Sequence, residues 1–161
     1  MSKIKVADFY YGAALSVLFN NSNKKIRAAI IESDENRQLY DLMTNNNTCR
    51  LFIKYRSRKQ DTKTEDYSSW MFSLTTRDLN ELRSIIDNEH NLVVALVCAD
   101  TELSASELAL IDKEQVNELI NLGKDSITIS RIKGEHAYRI SIGGGRENAM
   151  LVTANRFDEL F

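Results

Sequence analysis

Leu92-Val93-Val94-Ala95-Leu96-Val97-Cys98-Ala99 is the longest uninterrupted apolar stretch of the chain. A strand with one wet face alternates apolar and polar residues, so an unbroken run needs cover on both faces. The stretch therefore predicts a central strand over 92–98 inside a layered domain. It is far short of the roughly 18 apolar residues that cross a bilayer.

Immediately upstream, Thr75 and Asp78 stand three residues apart in a capping-box arrangement, and Leu79, Leu82, Ile85 and Ile86 supply the buried stripe of a helix. Before it, Trp70 to Leu74 has the composition of a strand. Further back lie three strand-like runs, Ile26 to Ile31, Gln38 to Met43 and Cys49 to Arg56, which predict an antiparallel meander. Their separators, Ser33 to Asn36 and Thr44 to Thr48, are rich in Asn and Asp that tolerate turn conformations. At the start, Val6, Phe9, Tyr10, Ala13, Ala14, Val17 and Leu18 recur at helical spacing, predicting a helix packed on the sheet through these residues, and Asn20, Asn21, Ser22 and Asn23 end it.

Downstream, Leu103 to Ile111 fits neither period cleanly and is read as a strand. Asp112 with Gln115 resembles an N-cap, leading into Val116, Leu119 and Ile120 on a third helix that Gly123 closes. Ser126 to Ile132 and Ala137 to Ile142 alternate across Lys133-Gly134-Glu135-His136 as a hairpin, and Ala149 to Val152 supplies one more edge strand. Phe157, Leu160 and Phe161 predict a tail, from Asn155 onward, docked on the body. The whole describes one α+β domain over 1–161, with a mostly antiparallel, mixed sheet and about three helices, the first two packed on one face.

At 161 residues the chain is long enough to bury roughly 70% of its unfolded surface. Its 43% hydrophobic and 27% charged residues argue against both disorder and a membrane span. The first residues show no secretion-signal pattern, and Cys49 and Cys98 sit in apolar strand contexts as buried thiols, so a cytoplasmic, reducing location is expected. The net charge of −2 excludes a surface that is basic throughout; any anion site must be local.

One stretch is locally basic: Arg50-Leu51-Phe52-Ile53-Lys54-Tyr55-Arg56-Ser57-Arg58-Lys59. Strand alternation puts Arg50, Phe52, Lys54 and Arg56 on one face and Cys49, Leu51, Ile53 and Tyr55 on the other. Arg58, Lys59 and Lys63 carry the charge into a polar loop, Ser57 to Ser69. Cations around an aromatic ring suit a phosphate backbone with a stacked base, which makes Arg50, Phe52, Lys54, Arg56, Arg58 and Lys59 candidates for contact with DNA or RNA. The alternative is a solvated face whose charge Asp61, Glu65 and Asp66 partly cancel. On the first reading the chain is a non-catalytic nucleic-acid or protein interaction module with no cofactor. A homodimer is a further possibility, since a net charge near zero opposes self-association little. Gly143-Gly144-Gly145 lacks the Lys-Ser/Thr of a phosphate loop, and His90 and His136 lack ligand spacing.

The order helix, three strands, helix, strand, with Asp41 on the second strand and Lys54 on the third, resembles the PD-(D/E)XK nuclease fold. The resemblance implies Mg²⁺ held by Asp41 and by an acidic residue two positions before the lysine, with Lys54 as the catalytic lysine orienting water. Here Phe52 occupies that acidic position, so the displaced ligand would have to be Asp8 near the start of the first helix or Glu32 at the end of the first strand. Asp8-Phe9-Tyr10-Tyr11-Gly12-Ala13-Ala14-Leu15, Phe52-Ile53-Lys54-Tyr55 and Trp70-Met71-Phe72 also resemble landmarks of short uncharacterised bacterial proteins, which implies a small domain from a bacterium or mobile element.

Overall fold

The computed structural model describes residues 2–22, 25–34, 36–45, 47–64, 66–154 and 156–161. Asn23, Glu65 and Asn155, named above, lie outside them. The chain begins with α1 (Val6–Asn21), followed by β1 (Arg27–Ser33), β2 (Gln38–Met43), β3 (Thr48–Arg56) and β4 (Tyr67–Ser73). Next come α2 (Thr76–Asp87), β5 (Asn91–Cys98), β6 (Glu107–Asp112) and α3 (Lys113–Asn121). The last elements are β7 (Ser126–Ile132), β8 (Ala137–Ile140), β9 (Met150–Thr153) and the short α4 (Phe157–Leu160). This is an α+β fold with two sheets.

The first sheet has the order β1-β2-β3-β5-β6, and only β3 and β5 run parallel. The predicted central strand is β5, buried from Leu92 to Cys98. Because β5 is apolar on both sides, each face of the sheet needs a cover. Ala7, Tyr11, Ala14 and Leu18 of α1 pack on the face of Leu51, Ile53, Val93 and Ala95. On the opposite face, Phe52, Val94, Leu96 and Ile111 meet Leu82 of α2, Val116 and Leu119 of α3, and Trp70, Phe72, Ile129 and Ile140 of the second sheet. That sheet is antiparallel, in the order β4-β7-β8-β9. Burying each large aliphatic side chain contributes about 1.5–3 kcal/mol, so the two cores dominate the fold's stability.

Four expectations are corrected. The first two helices cover opposite faces, not one, because β5 is apolar on both faces and each needs a cover. The strands divide between two sheets, since β4 leaves β3 and pairs with β7. In α1 the buried line is Ala7, Tyr11, Ala14 and Leu18, leaving Val6, Phe9 and Val17 exposed. A helix apolar on all sides has no unique buried stripe in its sequence, and small Ala7 and Ala14 let the backbone approach the sheet. Finally, Leu103–Ala105 is a 3₁₀ turn, and the strand starts only at Glu107.

The tail docks as expected: Phe161 is buried among the α1-side residues, and buried Arg156 bonds the Leu110 carbonyl at 3.2 Å and Asp112 at 2.6 Å. Among the described residues, no helix is long and apolar enough to cross a membrane.

Candidate functional site

The face of β3 that carries Arg50, Phe52, Lys54 and Arg56 turns inward for most of its length, against α2 and the second sheet. Phe52 is wholly buried in the core, so it offers no surface for a base to stack on. Lys54 is only 7% exposed, and its Nζ donates to Asp78 Oδ2 at 2.7 Å. Arg50 lies opposite Asp41 in the β2–β3 ladder and pairs with it at 2.5 Å. Two of the three strand cations are thus neutralised internally. Arg56, at the strand's end, is exposed.

Around Lys54 the chain builds a buried ionic network that the sequence reading missed. Gln38 pairs with Ile53, so Arg37, one residue earlier, comes beside Lys54. Arg37 is 3% exposed; its Nη1 donates to Asp78 Oδ1 at 3.1 Å and its Nη2 to Glu32 at 3.0 Å. Its guanidinium stands 5.6 Å from the Phe52 ring centroid, and Arg77 closes the outside by pairing with Glu32. Asp78 also fills the predicted capping box, accepting from Thr75 N at 3.0 Å while its own N–H donates to Thr75 Oγ1 at 3.0 Å. Burial pushes the Asp78 carboxyl up, but the bonds from Lys54 and Thr75 push it down by more, leaving it below its ordinary value. The network locks the start of α2 onto the ends of β2 and β3. The capping-box spacing was the one sequence signal that marked Asp78; Arg37 was reachable only by extending the alternation of β2 backwards.

The residues of the Mg²⁺ reading are not brought together. Lys54 lies four residues along β3 from Arg50, the partner of Asp41, a separation of roughly 13 Å at about 3.3 Å per residue. Glu32 is held by Arg37 and Arg77, Asp41 by Arg50, and Lys54 by Asp78. Asp8 accepts from the backbone N of Lys5 at 2.8 Å, capping α1. Among the described residues, no three His, Cys, Asp or Glu side chains are grouped to hold a metal ion.

What remains open to solvent is the end of β3 and the loop after it. A cleft of about 370 Å³ lies between Lys54, Arg56 and Ser57 on one side and Met71, Ser73 and Thr75 on the other. A second, of about 440 Å³, follows in the loop, lined by Arg58, Lys59, Asp61, Lys63, Thr64 and Tyr67 among others. Lys59 is engaged by Asp100 at 3.0 Å, which also holds that carboxyl below its ordinary value. Arg56, Arg58 and Lys63 are exposed and have no acidic partner among the described residues, although Asp61 and Asp66 share the loop. The loop folds back on β4: Gln60 N donates to the Ser69 carbonyl at 2.7 Å and Thr62 Oγ1 to the Tyr67 carbonyl at 2.8 Å.

Compared with models of known families, with curated proteins and with solved structures, the chain matches none.

Proposed function

We propose that the protein is a non-catalytic interaction module that contacts the phosphate backbone of DNA or RNA through Arg56, Arg58 and Lys63. The observation behind this reading is that these three cations border two clefts and form no ion pair among the described residues, Asp61 being the one carboxylate in the lining of either, whereas Arg50, Lys54 and Lys59 are each engaged by a carboxylate. A phosphate oxygen gains most from a cation that no carboxylate already holds. With Phe52 buried, recognition rests on charge rather than base stacking, and binding should be indifferent to sequence and sensitive to salt. In this reading the module works in the cytoplasm of a bacterium, where an overall charge of −2 requires that any attraction to phosphate be local.

The test is retention of the purified chain on immobilised DNA and RNA. Retention should fall with added salt and disappear when Arg56, Arg58 and Lys63 are all replaced by alanine. Equal retention of the wild type and the triple variant would remove the reading.

A further inference from the structure

β4 is an edge strand, since it pairs with β7 alone. In an antiparallel pair each residue turns its N–H and C=O to one side, and successive residues alternate. Two bonds fix the phase: Lys133 N donates to the Asp66 carbonyl at 2.7 Å and Leu74 N to the Asp125 carbonyl at 2.8 Å, so the even-numbered residues face β7. The odd-numbered ones face away from it, and the preceding loop takes the first two. Thr62 Oγ1 donates to the Tyr67 carbonyl at 2.8 Å, and Gln60 N donates to the Ser69 carbonyl at 2.7 Å. Met71 and Ser73 come next, and their outward N–H and C=O groups have no ladder partner. Both residues line the cleft of about 370 Å³, across from Arg56 and Ser57.

The cleft therefore offers two kinds of group. Arg56 is exposed and forms no ion pair among the described residues, which suits a phosphate oxygen. The Met71 and Ser73 carbonyls are acceptors, and a phosphodiester has no donor to give them. A ligand that fills the cleft needs, close to its phosphate, a group that both donates and accepts. The ribose 2′-hydroxyl is such a group, on the carbon next to the one that bears the 3′ phosphate, and deoxyribose lacks it. An extended peptide also carries both kinds of group, but a strand runs for about five or six residues. The open row from Met71 to Ser73 is only about 7 Å long, which matches one sugar and not a strand. A volume of about 370 Å³ lies near the lower end of the range of small-molecule sites, in keeping with a single sugar-phosphate unit.

Resting on the reading that Arg56 contacts a nucleic-acid phosphate, we propose that the partner is RNA rather than DNA, and that the open edge of β4 at Met71 and Ser73 makes the distinction by bonding a ribose 2′-hydroxyl. Every ribonucleotide carries that hydroxyl, so the preference for RNA comes without a preference for sequence. The cations supply the salt-dependent attraction common to both polymers, and the strand edge adds a neutral contact that only one of them can make. A neutral hydrogen bond of ordinary net strength makes binding of RNA about five-fold tighter than binding of DNA.

The test is fluorescence anisotropy of the full chain with a short RNA, the DNA of the same sequence, and the RNA with every 2′-hydroxyl methylated. RNA should bind about five-fold tighter than DNA, and the methylated RNA, which has lost the donor, should bind no tighter than DNA. Met71→Pro removes the N–H on the open side, where no ladder bond is lost, and should lower the RNA affinity to that for DNA while leaving the latter unchanged. Its circular dichroism spectrum checks the fold, and the methylated RNA probes the same contact without any variant. Arg56→Ala should weaken RNA and DNA alike. Equal affinity of the wild type for RNA and DNA would overturn the proposal and leave phosphate contact standing, whereas binding of neither would remove both. Undiminished binding of the methylated RNA, an RNA preference retained by folded Met71→Pro, or displacement of the RNA by a short extended acidic peptide would also overturn it.

Discussion

Replacing Lys54 by methionine separates a structural lysine from a ligand-binding one. Methionine keeps the unbranched stem and removes the ammonium that donates to Asp78 Oδ2 at 2.7 Å. The carboxylate stays buried, at 2% exposure, with Arg37 at 3.1 Å and Thr75 N at 3.0 Å still bonded to it. Removing one partner of a buried pair costs about 3–5 kcal/mol, and the two surviving bonds place this case at the lower end, about 3 kcal/mol. For a chain of this length each kcal/mol moves the melting temperature by about 2–4 °C, so Lys54→Met should melt about 6–12 °C lower. Thermal melts followed by circular dichroism measure it. Adding Asp78→Asn closes a double-mutant cycle, whose coupling should fall between about 1 and 3 kcal/mol. Retention of folded Lys54→Met on nucleic acid should equal that of the wild type. A shift no larger than that of a surface substitution, about 0.5 kcal/mol, combined with lost retention would refute the internal role of Lys54.

The depressed Asp78 carboxyl makes stability depend on pH. The unfolded chain protonates this group near its ordinary value of about 3.9 while the native chain does not, so its contribution is present above that value and lost as pH falls through the lower native one. Urea unfolding at a series of acidic pH values should show that loss in the wild type and a flatter profile in Asp78→Asn; parallel profiles would contradict it. Burial pushes the Cys49 thiol up to about 12 and raises Cys98 still further, so neither should react with a thiol reagent at neutral pH until the chain is unfolded. Trp70→Phe removes the indole N–H that donates to the Ala99 carbonyl at 2.9 Å and leaves that buried oxygen unpaired, a loss of about 1–3 kcal/mol readable by denaturant unfolding.

Local signals carried most of the elements. The unbroken run at Leu92–Cys98 identified the central strand, and Thr75 with Asp78 marked the start of α2 because a cap is written within four residues. What the sequence withheld was long-range choice. Trp70 and Phe72 alternate as any half-buried strand would, yet whether β4 joins β3 or crosses to β7 depends on a partner more than fifty residues away. The rotation of α1 was equally hidden, because Val6, Phe9 and Val17 are as apolar as Ala7, Ala14 and Leu18. At the basic stretch, alternation correctly placed Arg50, Phe52 and Lys54 on one side of β3. It could not reveal that α2 and the second sheet cover that side, since the covering residue Asp78 lies 24 positions away. Charge in a strand looks like solvent exposure until its counter-ion is located. Arg56, Arg58 and Lys63 lie beyond that cover and kept the exposure that the sequence led one to expect.

Binding of a labelled DNA duplex, followed by fluorescence anisotropy as salt is raised, examines the basic rim most directly. Three phosphate contacts predict a slope of about −2.7 in a plot of log affinity against log salt concentration. Losing all three cations to alanine should bring the slope close to zero. A slope that survives in the triple variant, or a wild type that binds neither this duplex nor an RNA of the same length at low salt, would contradict the account.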